Sequence, residues 1–282
     1  TDSEGYKATV RYIGPVIVAK DKNEIWIGVE WDDKTRGKHD GSCVDDQGQV
    51  HRYFKCDFGA GSFIKPSKLS RGRSFVEALR DRYVDLDAPT IVKEGTVLPD
   101  AFVTTAKGIQ KTIEFVGEEK IRKRQQLSVI TKVSIRNDSI SVIGDNAGAV
   151  AGHLTEVDLQ DNLLCQWSEV ANFGLAMSAL TTLLLHGNKL EPLTSSIAES
   201  LQSLQCFQCL QVLALNACKL SSWREVALLN TFLPQLEELY LTNNDLSDIP
   251  SDYNQQLNEG KVEPSFLQGF EKLRVLDVSY CK

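Results

Sequence analysis

A small antiparallel β-barrel followed by an α/β solenoid of short repeats is the fold class that this 282-residue sequence predicts. Three observations carry it. The first 70 residues alternate short β-branched and aromatic runs with glycine-bearing turns. From residue 129 onward an apolar pattern recurs at intervals of 24 to 37 residues. Residues 71–128 share neither character and read as a connector.

Composition bounds the function before any motif is read. An apolar content of 42% with 24% charged residues describes a globular chain. No apolar run reaches the ~20 residues that a membrane-spanning helix requires, and Thr1-Asp2-Ser3-Glu4 does not read as a signal peptide. Met177 is the only methionine, so the chain is expected to be an excerpt of a longer one. Net charge is −7, unevenly spread: residues 1–70 balance, residues 71–128 carry +2 and residues 129–282 carry −9. The acidic repeats argue against nucleic acid, whose binding needs phosphate neutralisation. Seven scattered cysteines, an odd number, fit a reducing cytoplasm better than a disulfide framework. Cys206 and Cys209 form a lone CxxC, short of the four ligands of structural zinc, and no metal or cofactor is expected. The chain lacks a GxSxG elbow, a P-loop, an HExxH and a dinucleotide fingerprint, and His39, His51, His153 and His186 have no metal spacing. A binding protein, not an enzyme, is expected.

In the first domain, Thr9–Ile13 reads as a strand broken by Gly14-Pro15, and 25–31 as a half-buried strand. Further short strands are expected near 50–56 and 62–65, with Gly28, Gly41, Gly59 and Gly61 at barrel corners. Between them runs Gly37-Lys38-His39-Asp40-Gly41, whose two glycines would let the backbone approach a ligand closely. Lys38 supplies a cation and His39 a switchable donor. Taken alone, the five residues also fit an ordinary solvated turn.

Four motifs in order settle that ambiguity: Gly28-Val29-Glu30-Trp31-Asp32, then Gly37–Gly41, then Arg52-Tyr53-Phe54-Lys55-Cys56, then Gly61-Ser62-Phe63-Ile64. Together, over about residues 6–69, they resemble a CAP-Gly domain, a family that binds tubulin and microtubules through a shallow groove for acidic C-terminal tails ending in an aromatic residue. The resemblance implies Trp26 and Phe63 as groove walls, although both would equally suit a barrel core. It implies Lys38 as the partner of the tail carboxylates, with Arg52 and Lys65 adding charge, and Gly37, His39, Asp40 and Gly41 completing the loop. Position 39 departs from the family, which usually carries asparagine. The expectation for His39 is tail binding that strengthens at mildly acid pH, because a protonated ring donates from both nitrogens. Exposed ion pairs contribute only ~0.2–1 kcal/mol each, so binding should be weak and salt-sensitive.

Residues 74–83 predict a short helix capped by Ser74, with Phe75, Leu79 and Tyr83 near one face. Strands and turns are expected over 90–116, and the charged run 118–126 reads as a solvated helix face. This connector is expected to cover the first open end of the repeat array.

The repeats read as leucine-rich repeats. Their apolar positions are Leu154, Val157, Leu159 and Leu164, then Leu180, Leu183, Leu185 and Leu190, Leu210, Leu213, Leu215 and Leu220, and Leu236, Leu239, Leu241 and Leu246. Asn162, Asn188, Cys218 and Asn244 hold the ninth position and are expected to turn inward to satisfy backbone groups. An imperfect repeat starts at Ile130 and another at Leu273, the latter after an expected insertion within 247–270. Trp167 and Trp223 each stand five residues after the Asn/Cys position and predict helices on the convex side. The variable strand positions should line a concave, protein-binding face. They include Lys132, Arg136, Glu156, Asp158, Leu184, His186, Glu238, Tyr240 and Asp277.

A CAP-Gly domain ahead of leucine-rich repeats resembles the amino-terminal portion of the tubulin folding cofactor E family. The resemblance implies binding of α-tubulin and of the αβ-tubulin dimer, cooperation with other tubulin folding cofactors, and a cytoplasmic, cytoskeleton-associated setting. It also implies two linked weak sites, which gain ~10²–10⁴ in avidity when both engage. The family's C-terminal ubiquitin-like domain is not found in this sequence. A microtubule-associated adaptor, using the repeats for another protein, stays open as an alternative.

Overall fold

The computed structural model describes residues 1–83, 102–104, 110–112, 127–246 and 269–281. The chain divides into two compact units, Thr1–Gly72 and Arg73–Lys282.

In the first unit, β1 (Ala8–Pro15), β2 (Ile25–Trp31) and β5 (Gly61–Ile64) form an antiparallel sheet in the order β1-β2-β5. A separate hairpin joins β3 (Ser42–Val44) and β4 (Val50–Arg52). Strand β1 runs on through Gly14-Pro15 instead of breaking there, pairing Pro15 with Ile25. An edge strand tolerates proline because no neighbour claims the missing N–H. Gly28 is not a corner but lies within β2, where an added Cβ would come 2.5 Å from the Phe54 ring. Val29, Trp31, Phe54 and Ala60 are buried between these elements.

The second unit begins with β6 (Arg73–Ser74) and α1 (Phe75–Arg82). Ser74 and Glu77 form a reciprocal capping box at the start of α1, which satisfies two otherwise orphaned amides. Phe75 and Leu79 are fully buried, and Phe75 meets Phe173 edge to face at 5.2 Å. The helix is therefore built into the core of the repeats. Strand β6 pairs in parallel with β10 (Ile140–Val142). A short antiparallel hairpin, β7 (Phe102–Thr104) and β8 (Gln110–Thr112), lies in the 90–116 stretch. The charged run 118–126 and most of the expected insertion lie outside the described residues.

The repeats contribute β9 (Lys132–Ser134), β11 (Glu156–Asp158), β12 (Thr182–Leu184), β13 (Val212–Ala214), β14 (Glu238–Tyr240) and β15 (Val275–Asp277) to one parallel six-stranded sheet. Register is kept from strand to strand: Val133, Val157, Leu183, Leu213, Leu239 and Leu276 form one rung. The short helix α2 (Ala147–Ala151), then α3 (Trp167–Ala176), α4 (Ser195–Leu204) and α5 (Trp223–Leu229) fill the returns. Trp167 is buried at the start of α3, and its indole N–H donates to the Glu191 carbonyl at 3.0 Å. Glu225, buried in α5, accepts from the amides of Leu193 and Ser221 and from the Ser221 hydroxyl.

The ninth-position side chains turn inward and stitch neighbouring repeats together. Asn162 donates to the carbonyls of Ile135 and Leu159 and accepts from the amides of Asp138 and Ile140. Asn188 donates to Leu159 and Leu185 and accepts from Leu164. Asn244 repeats the full set, donating to Leu215 and Leu241 and accepting from Cys218 and Leu220. At Cys218 and Cys281 a thiol stands in, donating to Leu185 and Leu241 respectively at 3.1 Å.

Burial pushes the Cys218 thiol up to about 12 and the Cys206 thiol up to about 11, so both stay protonated and unreactive at neutral pH. Iodoacetamide is expected to modify the exposed Cys165 and Cys209 in the folded chain and to reach Cys206 and Cys218 only in denaturant; modification of Cys218 in the native chain would contradict this. Asn188→Ala should lower stability of the second unit by about 2–4 kcal/mol, and Cys218→Ala by about 1–2 kcal/mol, because the amide satisfies more buried groups. Urea midpoints at constant m would reveal the difference, and equal shifts would refute it.

Candidate functional site

The first unit carries a cleft of about 750 Å³ whose wall includes Trp26, Trp31, Phe63 and Ile64 together with Arg36, Lys38, Lys65 and Lys68. His39 and the acidic segment Asp2-Ser3-Glu4 also border it. Five of the residues singled out from the sequence therefore meet at one place: Trp26, Lys38, His39, Phe63 and Lys65. Gly37, Asp40, Gly41 and Arg52 do not border the cleft.

Phe63 is the ring on which the others are arranged. Tyr53, Phe54 and Tyr12 pack edge to face around it at 5.3, 5.7 and 6.4 Å, and His39 stacks on it at 4.7 Å. Edge-to-face and offset packing of this kind is the favoured geometry for aromatic quadrupoles. Phe63 thus belongs both to the packing of the unit and to the cleft wall.

The loop from Gly37 to Gly41 is pinned against this cluster. The amides of Lys38 and His39 donate to the Gly61 carbonyl, and the Gly61 amide returns a bond to the His39 carbonyl at 2.7 Å. At Gly37 an added Cβ would lie 2.0 Å from the Gly59 carbonyl oxygen. Gly41 sits at φ +92° with its backbone against the Phe54 carbonyl. The two glycines are needed because the protein's own backbone comes this close, not because a ligand does.

Two further expectations change with the geometry. Arg52 does not add charge to the cleft: its guanidinium holds the Asp40 carboxylate at 2.7 Å and the Asp40 carbonyl at 3.1 Å. The Ser42 hydroxyl and then Arg52 keep the Asp40 carboxyl far below the usual carboxylate range. Asp40 and Arg52 therefore brace the loop. Lys65 does reach the cleft, 5.4 Å over the Trp26 ring, but its ammonium is already paired with Glu24 at 2.5 Å. Lys38 and Lys68 have no carboxylate partner among the described residues.

The geometry at His39 argues against binding that strengthens on acidification. Its Nδ1 accepts the Gly41 amide at 3.0 Å, which fixes the neutral tautomer with the proton on Nε2. Burial holds the ring below its usual range, Asp40 opposes that and Lys38 adds to it. Protonation would put a hydrogen on the nitrogen that now accepts from Gly41. The imidazole therefore mimics an amide side chain, with one acceptor turned to the backbone and one donor left over.

Lys68 and Arg36 border the cleft without having been singled out from the sequence, and Trp31 does so although it was read only as part of the first motif. Lys68 follows Pro66-Ser67 in a 3-10 turn just beyond β5, and Arg36 directly precedes Gly37 in another. Their nearness to the two landmark motifs was the available signal.

On the sheet of the second unit, the residues read as a binding face are largely tied to one another. Glu156 pairs with Lys132 at 2.6 Å. Asp158 is buried, bonded to Arg136 and Ser134, and is not a free contact. The Tyr240 hydroxyl donates to Glu238 at 2.7 Å, and Asp277 accepts from Ser279. His186 Nδ1 meets the Asn216 side-chain amide at 3.0 Å, and burial lowers its pKa. Leu184 and Tyr240 flank Ala214 on one rung, leaving a small apolar stretch between charged ends.

Comparison with known proteins adds ancestry to this geometry. A family model for the CAP-Gly domain matches residues 1–69, and one for the leucine-rich repeat matches residues 235–257. The tubulin-specific chaperone E of Homo sapiens is 37% identical over 255 residues, covering 88% of this chain and 44% of its own length. That of Mus musculus is 34% identical over 280 residues, covering 98% and 47%. The tubulin-folding cofactor E of Arabidopsis thaliana is 30% identical over 273 residues, covering 96% and 46%. The leucine-rich-repeat ectodomain of a receptor kinase from Arabidopsis thaliana, 20% identical, covers 73% of this chain and 92% of its own at a TM-score of 0.34, too low to carry an argument. The chain spans about half the length of the curated relatives it matches. With a CAP-Gly domain at its start, leucine-rich repeats behind it and this similarity along nearly its whole length, the chain is a homologue of the tubulin-specific chaperone E proteins.

Proposed function

We propose that this chain is a tubulin-binding folding cofactor with two points of attachment. The cleft of the first unit takes the acidic C-terminal tail of α-tubulin. The variable face of the repeats, centred on Leu184 and Tyr240, contacts the folded body. On this reading the first unit is a small barrel over about residues 1–70, the repeats from about 129 coil into a solenoid, and the work is assembly or dissociation of the αβ dimer in the cytoplasm. Cooperation with other tubulin folding cofactors, and encounter with microtubules, follow from that role.

The observation that carries the reading is the cleft: Lys38 and Lys68, without carboxylate partners among the described residues, line it together with Trp26 and Phe63. A wall with free cations and aromatic faces fits a peptide that is acidic and ends in an aromatic ring. The relatives named tubulin-specific chaperone E support tubulin as the source of that peptide. The proposed chemistry is recognition of a peptide by cations and aromatic faces.

Binding of αβ-tubulin, with and without its C-terminal tails, to the purified chain is the direct test. Tail removal should weaken binding without abolishing it; complete loss would leave the repeats without their role. Lys38→Ala should lower affinity for a tail peptide roughly two- to five-fold at low salt, the worth of one exposed ion pair, with a smaller effect at high salt. Unchanged affinity would defeat the cleft assignment.

For His39 the sign is fixed by its lowered pKa. The folded unit prefers the neutral ring, so its contribution to stability is full above the unfolded value near 6.5 and is lost as pH falls below it. Tail affinity should stay flat between pH 8 and pH 6.5, and His39→Asn should preserve it. A peptide titration showing tighter binding on acidification over that range would contradict the assigned tautomer.

A further inference from the structure

We propose that the acidic segment Asp2-Ser3-Glu4 is an internal competitor of the cleft, neutralising Arg36 and so withholding that cation from an incoming acidic peptide. The inference rests on the reading of the cleft as an acidic-tail site and concerns how that site is regulated.

Arg36 lines the same cleft as Lys38 and Lys68 but in a different state. Its guanidinium carries two carboxylates, Asp2 at 2.5 Å and Glu4 at 2.8 Å. Its central carbon also lies 4.5 Å over the Tyr6 ring and 5.7 Å from the Trp31 ring centre. A guanidinium stays charged at any pH the protein meets and offers a planar fork matched to carboxylates. It is thus the cation of the cleft best shaped for an acidic peptide, and the one most fully occupied.

The two carboxylates hold it unequally. Asp2 is an anchor: its side chain is only 8% exposed, its other oxygen accepts the amides of Glu4 and Tyr6, and its backbone bridges to Leu69. Glu4 is 60% exposed where it pairs with Arg36. A glutamate side chain of a bound peptide offers the same group as Glu4, so exchanging one for the other conserves the ion pair. Trp31 lines the cleft beside Arg36, and its buried indole N–H has no acceptor among the described residues.

The strength of the competition follows from the type of contact. An exposed ion pair held in cis shifts its own equilibrium only modestly, so release of Glu4 should tighten peptide binding roughly two- to six-fold. The probe is a synthetic peptide of consecutive glutamates ending in tyrosine with a free carboxylate. Its binding to the whole chain is followed by fluorescence anisotropy for wild type, E4Q, D2N/E4Q, R36Q and R36Q/E4Q. The expected result is tighter binding and a steeper salt dependence for E4Q and D2N/E4Q, with the gain erased in R36Q/E4Q. R36Q alone should bind more weakly than wild type, because it leaves the Asp2 and Glu4 carboxylates unpaired at the cleft. If D2N/E4Q fails to fold for want of its anchor, E4Q reads the same contact at an exposed side chain. Wild-type binding with no gain in E4Q, or a gain that survives R36Q, overturns the inference alone. Absence of binding by wild type and E4Q alike overturns the reading of the cleft as well.

Discussion

The stack of His39 on Phe63 is the contact on which the first unit's cleft depends. It joins a loop that carries charge to a ring that carries packing. Phe63 is held by Tyr12, Tyr53 and Phe54, so its position is that of the core. His39 takes its place from Phe63 and its tautomer from the Gly41 amide. Lys38, one residue earlier, is then aimed by a backbone that both neighbours have fixed. Without the stack, the lysine would be one more mobile surface charge; with it, the cation is delivered to a defined wall at little further ordering cost.

The second unit solves a different problem with a different device. Strands of three residues cannot be stable alone, and each buries its central residue only when both neighbours are present. Apolar rungs supply the bulk of that burial. Polar stitching by Asn162, Asn188 and Asn244 sets the spacing, because each amide can satisfy its partners only when the repeats lie in register. Helix α1 extends the same core past the first repeat, giving it an apolar neighbour in place of water.

Much of this was legible in the sequence, for reasons that differ by element. The repeats announced themselves because period, apolar offsets and the Asn/Cys position are all local statements about side chains. The helix starting at Phe75 was likewise legible from Ser74 and its apolar face. What the sequence did not give away were pairings across space. That Arg52 would meet Asp40, that Lys65 would meet Glu24 and that Asp158 would be buried beneath Arg136 depends on contacts 12, 41 and 22 residues apart. A charged residue in a motif looks the same whether it is free or spent. Gly28 was misplaced for a related reason: a glycine in a strand marks close approach as readily as a corner, and only the Phe54 ring distinguishes the two. His39 was read from its intrinsic chemistry, and the bond from the Gly41 amide to its Nδ1 was not visible in the sequence.

The thiols at the ninth position have a consequence for how the array comes apart. Coupling between repeats is carried by asparagine at β9–β11, β11–β12 and β13–β14, and by cysteine at β12–β13 and β14–β15. An asparagine both gives and receives across its junction, whereas a thiol is a single weak donor. A linear array breaks first where nearest-neighbour coupling is least. The weakest junction is therefore β14–β15, because at β12–β13 the buried Glu225 carboxylate on the Leu193 amide and the His186–Asn216 pair also bridge the repeats. Opening should start at that terminal junction and reach the asparagine-stitched repeats last, so the chemistry of single side chains at the junctions sets the grain of the protein's unfolding.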